Sequence, residues 1–162
     1  FNTYYQRICG ATENVGLKYF SQLEEGDFTE QLARNRERDR ILGYTSVGIH
    51  KDELEMTLNG YLIRRVGSQG QNKSYLIALK LAQFAFLNQR GHTTPILLLD
   101  DLFDKLDAMR VEQIVKLVSG EAFGQTFITD TNRKYLDAIL NAMGGDHALF
   151  KVEQGVVTPM EE

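Results

Sequence analysis

Carboxylates gather directly after an apolar run in the middle of the chain. The stretch ILLLDDLFDKLD, residues 96–107, has four aliphatic side chains followed by Asp100 and Asp101, with Asp104 and Asp107 behind them. Adjacent carboxylates repel each other, and a divalent cation with a polyphosphate would neutralise them. These residues therefore indicate metal-dependent phosphate chemistry, with one carboxylate near the metal and the other toward an attacking water. The alternative is that Asp101 or Asp104 only caps the following helix.

A glycine-containing loop upstream adds a second feature that suits phosphate. GSQGQ, residues 67–71, opens a long helix, and Gly67 and Gly70 would let backbone N–H groups approach an anion at the positive helix end. Ser68 adds a hydroxyl donor. Alone, this loop could be an ordinary helix cap. Paired with an acidic strand end one helix later, it favours a phosphate-binding loop.

The elements that must position these residues alternate between strands and helices. The helix after GSQGQ is apolar on most sides, which predicts that it is buried. ILLL, residues 96–99, reads as a strand covered on both faces, QTFIT as a second strand, and KYLDAILNAMGG as a helix, with two short strands around Gln154 and Gly155. Ligands of such parallel sheets bind beyond the carboxyl ends of the strands, where Asp100 and Asp101 emerge with side chains on opposite faces.

The first part of the chain predicts helices and then a hairpin. The spacing from Tyr4 through Val15 and Tyr19 to Leu23 predicts one helix that ends near Gly26. Asp27 and Glu30 predict a capping box for the next helix, whose alternating arginines and acids indicate a solvated, salt-bridged face rather than a nucleic-acid patch. Asn59-Gly60, between alternating apolar residues, predicts a two-residue hairpin turn.

Composition limits the function classes. With 162 residues, of which 43% are hydrophobic, the chain can form a well-packed core. A net charge of −4 gives no electrostatic footprint for nucleic acid in this chain alone. The single cysteine excludes an internal disulfide and fits a cytoplasmic protein, and no apolar run predicts a membrane span. The start without methionine leads us to expect that the chain is cut from something longer.

Three motifs together resemble those of ABC-type ATPases. GSQGQ is similar to their signature loop, ILLLDD to their Walker B strand, and KLD, residues 105–107, to their D-loop. The resemblance implies that ATP is held between two protomers, with Ser68, Gly70 and Gln71 of one protomer reaching the γ-phosphate in trans. It also implies further roles for residues of the carboxylate stretch and of the next strand end. These are Asp100 in the Mg²⁺ shell, Asp101 as the residue that orients or activates water, Leu106 and Asp107 at the dimer seam, and Thr129, Asp130 or Thr131 as a possible switch.

Further motifs extend the similarity to the C-terminal part of the RecF family, recombination and gap-repair ATPases of the SMC-like branch. They are GIHKDE at 48–53, IALKLAQ at 77–83 and FGQTFITDT at 123–131. The implied fold is α/β, the C-terminal half of an ABC/SMC-like P-loop ATPase head, with a mostly parallel sheet flanked by helices, a β-hairpin and a helical arm piece. Residues 1–42 would be the arm (lobe II) segment and 43–162 the head.

The family resemblance implies an ATP-driven homodimer that clamps DNA at single-strand/double-strand junctions and helps RecO and RecR to load RecA. The pattern GxxxxGK[ST] is absent from the 162 residues, so we expect the P-loop upstream and no hydrolysis by this chain alone. Asp101 stands where many such ATPases use glutamate, which predicts slow turnover. Two alternatives stay open. One is a nucleotide-dependent regulator without hydrolysis, and the other is a stand-alone metal-dependent phosphohydrolase built on the four aspartates.

Overall fold

The computed structural model describes residues 1–102, 104–131 and 147–160. Its α-helices are α1 (Asn2–Cys9), α2 (Phe28–Leu42), α3 (Ile63–Val66), α4 (Gln69–Arg90) and α5 (Ala108–Val118). Its strands are β1 (Val15–Phe20), β2 (Glu53–Leu58), β3 (Tyr61–Leu62), β4 (Leu97–Leu99), β5 (Thr126–Ile128), β6 (Leu149–Glu153) and β7 (Val156–Met160). Short 3-10 turns lie at Gln22–Glu25, Ile49–Lys51 and Glu121–Phe123.

The predicted α/β class is confirmed. β4 and β5 pair in parallel and are connected through α5, which is the predicted strand, helix, strand unit. β1, β2 and β3 form an antiparallel sheet, and β6 and β7 form the predicted closing hairpin. The predicted helix KYLDAILNAMGG, at 134–145, lies outside the described residues. In the part of the chain that the structure describes, no helix is both long and apolar enough to cross a membrane.

Contacts divide the chain into two compact units. One comprises residues 1, 3–10 and 69–162, and the other comprises Asn2 and residues 11–68. The division into an arm at 1–42 and a head at 43–162 stays a prediction.

In the unit of residues 11–68, the predicted single helix through Val15 and Tyr19 is wrong. α1 ends at Cys9, and residues 15–20 form β1, which pairs with β2 in the register Val15 with Leu58 and Tyr19 with Leu54. Tyr19 donates its phenol hydrogen to the Asp52 carboxylate. This hydrogen bond, followed by desolvation, raises the pKa of Tyr19 above its ordinary value of 10.0. Pairing with a distant strand has therefore overridden a helix-like spacing.

The local signals of the same unit are confirmed. Asn59 and Gly60 have φ angles of 51° and 82° and connect β2 to β3, as a two-residue hairpin turn requires. Asp27 caps α2, its Oδ1 accepting from the Glu30 N–H at 2.9 Å. The face of α2 is salt-bridged as expected, with Glu30 to Arg34 at 2.9 Å and Glu37 to Arg40 at 3.1 Å.

In the unit of residues 69–162, α4 and α5 supply most of the core. The buried side chains of α4 lie along one face, and they are Ser74, Tyr75, Ile77, Ala78, Leu81 and Phe84. α5 buries the predicted stripe of Val111, Ile114, Val115 and Val118. On the opposite face of α4, Leu76, Phe86 and Leu87 are exposed in the part of the chain that the structure describes. The expectation that α4 is buried on most sides is therefore wrong for this chain.

β4 is buried on one face only. Leu97 and Leu99 are each 7% exposed, whereas Ile96 is 58% and Leu98 71% exposed. Phe127 of β5, the register partner of Leu98, is 50% exposed. For the described residues the predicted coverage of this strand on both faces is wrong, because Leu97 and Leu99 are buried and Leu98 is exposed.

Candidate functional site

The ends of β4 and β5 bring together the side chains that the sequence singled out. Because the two strands are parallel, Asp100 and Thr129 leave the sheet at the same edge. The Thr129 hydroxyl donates to Asp100 Oδ1 and accepts from the Asp101 N–H at 3.1 Å. The backbone continues this contact, with the Leu102 N–H donating to the Thr129 carbonyl at 3.2 Å. Asp100 and Asp101 are both exposed at this edge.

Asp101 has left the strand conformation. β4 ends at Leu99, and Asp101 has a φ angle of 49°, in the left-handed region that residues with a side chain rarely adopt. Asp100 and Asp101 both lie beyond β4, so the strand alternation on which the prediction of opposite faces depends does not apply to them. The main-chain turn, rather than the strand, sets the direction of the Asp101 side chain.

A lysine from α4 holds the loop that follows β4. Lys73 Nζ donates to the Asp101 carbonyl at 2.5 Å and to the Asp104 carbonyl at 2.8 Å. We call residues 100–102 and 104–107 the carboxylate loop. Sequence reasoning missed Lys73, because nothing near position 73 indicates that two carbonyls from a loop about 30 residues further along lie against it.

The helix cap of α5 is Asp107. Its Oδ1 accepts from the Arg110 N–H at 2.9 Å, and its Oδ2 lies 3.4 Å from Arg110 Nε. The alternative in which Asp101 or Asp104 caps this helix is therefore wrong. Asp107 is exposed, whereas the neighbouring Leu106 is only 7% exposed and packs within this chain. Of these two predicted seam residues, Asp107 is the one whose side chain is exposed and available for contact with a partner.

The glycine loop packs against the carboxylate loop through Gly70. Gly67 and Ser68 precede α4, and Gly70 and Gln71 lie in its first turn. A Cβ on Gly70 would lie 3.0 Å from the Lys105 carbonyl oxygen and 2.8 Å from Arg110 Nη1. The missing side chain at Gly70 is thus what allows α4 and the carboxylate loop to approach this closely.

Thr129, one of the three possible switch residues, contacts both aspartates at the end of β4. Its hydroxyl bridges Asp100 and the Asp101 main chain. Asp130 is half-buried and Thr131 is exposed, both just beyond the end of β5. The oxygen donors of Asp100 and Thr129 suit Mg²⁺, which keeps most of its ligands as waters and phosphate oxygens.

The described residues contain no group of three or more His, Cys, Asp or Glu side chains that could hold a metal ion by themselves. Asp104 lies 3.7 Å from Lys105 Nζ, and Asp107 pairs with Arg110. The carboxylates of Asp100, Asp104 and Asp107 therefore contact three different partners. This arrangement does not favour the stand-alone phosphohydrolase.

Gly70→Val should lower the free energy of unfolding by about 1–3 kcal/mol, because a branched side chain must displace the Lys105 carbonyl. Gly70→Ala should stay within about 1 kcal/mol of the native chain, since its helix propensity offsets a small shift of the loop. Urea denaturation of the two variants checks this. Urea midpoints of both variants equal to that of the native chain would show that Gly70 is not tightly packed.

No family model matches the chain. Curated relatives match it over nearly all of its length, and each bears the name DNA replication and repair protein RecF. The relative from Parabacteroides distasonis is 78% identical over 162 residues, covering 100% of this chain and 44% of the relative. Those from Bacteroides thetaiotaomicron and Porphyromonas gingivalis are 57% and 56% identical, each with 43% of its length covered. The chain thus spans less than half the length of these relatives.

Two solved structures share the fold. A structure of the recombination mediator protein RecF-ATPrS in the RecFOR pathway aligns with a TM-score of 0.65 at 23% identity, over 99% of this chain and 45% of that one. A structure of RecF-ATP in the same pathway aligns with a TM-score of 0.67 at 24% identity, over 98% of this chain and 43% of that one.

Proposed function

We propose that this chain, which belongs to the RecF family along its whole length as its motifs predict, is part of a longer ATP-dependent DNA-binding protein of replication and recombinational repair. In this proposal the chain supplies the signature loop, the Walker B carboxylates and the D-loop. The P-loop comes from the remainder of the longer protein, because GxxxxGK[ST] does not occur in these 162 residues.

The hydrogen-bonded bridge made by the Thr129 hydroxyl is the main support for the proposal. Its hydroxyl lies between the Asp100 carboxylate and the Asp101 N–H, at the carboxyl ends of two parallel strands. Ligands of open α/β sheets bind at this edge. An exposed pair of adjacent carboxylates in this position suits a nucleoside triphosphate with its divalent cation.

Each side chain then has a separate task. Asp100 holds the shell of the Mg²⁺ ion, which when bound supplies charge neutralisation to the phosphate oxygens. Asp101 orients the attacking water and accepts its proton. Positioning and electrostatics carry most of the catalysis in phosphoryl transfer, so a carboxylate with a fixed main chain is well suited to this role.

The glycine loop acts on the nucleotide of the partner protomer. Ser68, Gly70 and Gln71 bind the γ-phosphate in trans through a hydroxyl and the first N–H groups of α4, where the helix dipole favours an anion. Asp107 lies at the dimer seam, and Leu106 contributes its backbone to the same seam. ATP thereby links two protomers.

Similarity to the RecF family supports a wider role for the complete protein. The ATP-bound dimer clamps duplex DNA near single-strand junctions in the cytoplasm, works with RecO and RecR, and promotes RecA loading until hydrolysis releases it. A net charge of −4 means that DNA contacts come mainly from other parts of the longer protein or from local patches.

Light scattering of the complete protein with Mg²⁺ and ATP tests the proposal. Native protein should dimerise only with ATP, and Ser68→Arg should weaken dimerisation tenfold or more, about 1.4 kcal/mol, because a bulky side chain blocks the loop. Thr93→Arg, which adds the same side chain beyond the other end of α4, is the matched control and should dimerise like native protein.

Two outcomes contradict the proposal. If the native protein stays monomeric with ATP, the nucleotide does not link the protomers. If Ser68→Arg dimerises as well as Thr93→Arg, the glycine loop does not contact the nucleotide in trans.

A further inference from the structure

The main chain of Asp101 is held at both of its polar groups, from two different elements. Its N–H donates to the Thr129 hydroxyl beyond β5, at 3.1 Å. Its carbonyl accepts from Lys73 Nζ of α4, at 2.5 Å. The same ammonium reaches the Asp104 carbonyl at 2.8 Å, so Lys73 fixes two points of the carboxylate loop.

Such fixation matters because the conformation of Asp101 is unfavourable by itself. A φ angle of 49° costs a residue with a side chain about 1–2 kcal/mol relative to the right-handed region. Conformations of this kind persist when the surrounding contacts over-determine them. A lysine ammonium has three donors and full charge, and its hydrogen bonds to carbonyls are stronger than those between neutral groups.

Lys73 also connects the carboxylate loop to a particular place on α4. It lies one turn beyond Gly70, where an added Cβ would be 3.0 Å from the Lys105 carbonyl oxygen. The start of α4 and the carboxylate loop are therefore joined by a charged contact and by a close steric contact. A shift of the first turns of α4 would move the backbone of Asp101.

We infer that Lys73 is a positioning residue that holds the Asp101 carboxylate in its water-orienting direction. The inference rests on the proposed function, in which Asp101 acts on the water. Lys73 contacts main-chain oxygens of the loop, and it acts on the reaction through Asp101.

Steady-state hydrolysis of ATP by the complete protein tests the inference. Lys73→Met should lower kcat by about 10- to 100-fold, since small misplacements of a catalytic group cost up to about two orders of magnitude, and should leave the KM for ATP within about twofold. Lys73→Arg, which keeps donors for two carbonyls, should recover most of kcat. Lys80→Met is the matched control, because Lys80 is an exposed lysine of the same helix, 3.4 Å from Gln83 Oε1.

A double variant separates positioning from a general loss of folding. In an Asp101→Asn background, Lys73→Met should cause little further loss of kcat, because residues that act as one unit are not additive. A full additional loss in the double variant would overturn the inference, since Lys73 would then act independently of Asp101.

The single variants separate the inference from the function on which it rests. If Asp101→Asn abolishes hydrolysis and Lys73→Met keeps native kcat, the inference is wrong and the proposed function stands. If Asp101→Asn hydrolyses ATP like native protein, the proposed role of Asp101 fails, and the inference fails with it.

Discussion

Asp101→Asn in the complete protein is expected to lower the rate of ATP hydrolysis by about two to three orders of magnitude, while ATP still drives dimerisation. An amide cannot take up the proton of the attacking water at neutral pH. The loop geometry should survive, because Thr129 and Lys73 hold Asp101 through its main chain rather than through its carboxylate. Asparagine also tolerates the left-handed conformation of this residue. Phosphate release and light scattering with Mg²⁺ and ATP measure the two effects.

Asp104→Asn is the matched change within the same loop. The Asp104 carboxylate is exposed and lies 3.7 Å from Lys105 Nζ, a surface pair worth about 0–1 kcal/mol, so hydrolysis should stay within about twofold of the native rate. An equal loss in both variants would favour the four-aspartate phosphohydrolase. A native protein with no hydrolysis, whose dimer has the same lifetime after Asp101→Asn, would instead favour the regulator.

Leu81→Ala is expected to lower the free energy of unfolding by about 2–5 kcal/mol. Leu81 is 0% exposed and lies on the buried face of α4, so alanine would leave a cavity there. Urea denaturation of the 162-residue chain, followed by far-UV circular dichroism, measures the change.

Leu76→Ala supplies the comparison on the same helix. Leu76 is 54% exposed on the opposite face, and its truncation should cost less than about 1 kcal/mol. If both variants lost the same stability, the outer face of α4 would have to be covered in solution, which would contradict the exposure described above.

Features with local determinants could be predicted from the sequence. The hairpin turn at Asn59-Gly60 and the cap by Asp27 depend on residues one to three positions apart, and both are confirmed. The apolar stripe of α5 also follows directly from helical spacing, and its side chains are buried.

Features that depend on distant partners could not be predicted. Val15, Tyr19 and Leu23 are spaced like one helix face, yet Val15 lies opposite Leu58 in the strand pair β1–β2. The one-sided burial of β4 was missed because strand hydrophobicity reports what a strand could bury, not what is available to cover it.

The candidate site likewise has features that the local sequence predicts and features that depend on distant partners. The motifs drew attention to Asp100, Asp101 and Gly70 because the residue types themselves are informative. The bridge through Thr129 and the clamp by Lys73 depend on loop backbone geometry, including the positive φ angle of Asp101. Tertiary contacts select that geometry, and local sequence carries little signal for it.

The uncovered face of β4 and β5 has a consequence for handling the isolated chain. Ile96, Leu98 and Phe127 expose aliphatic and aromatic surface on a sheet that has two strands among the described residues. Open strand edges with exposed apolar side chains promote pairing with other copies, which leads to aggregation. We therefore expect the solubility of the 162-residue chain, rather than its stability, to limit the concentration at which it can be kept in solution.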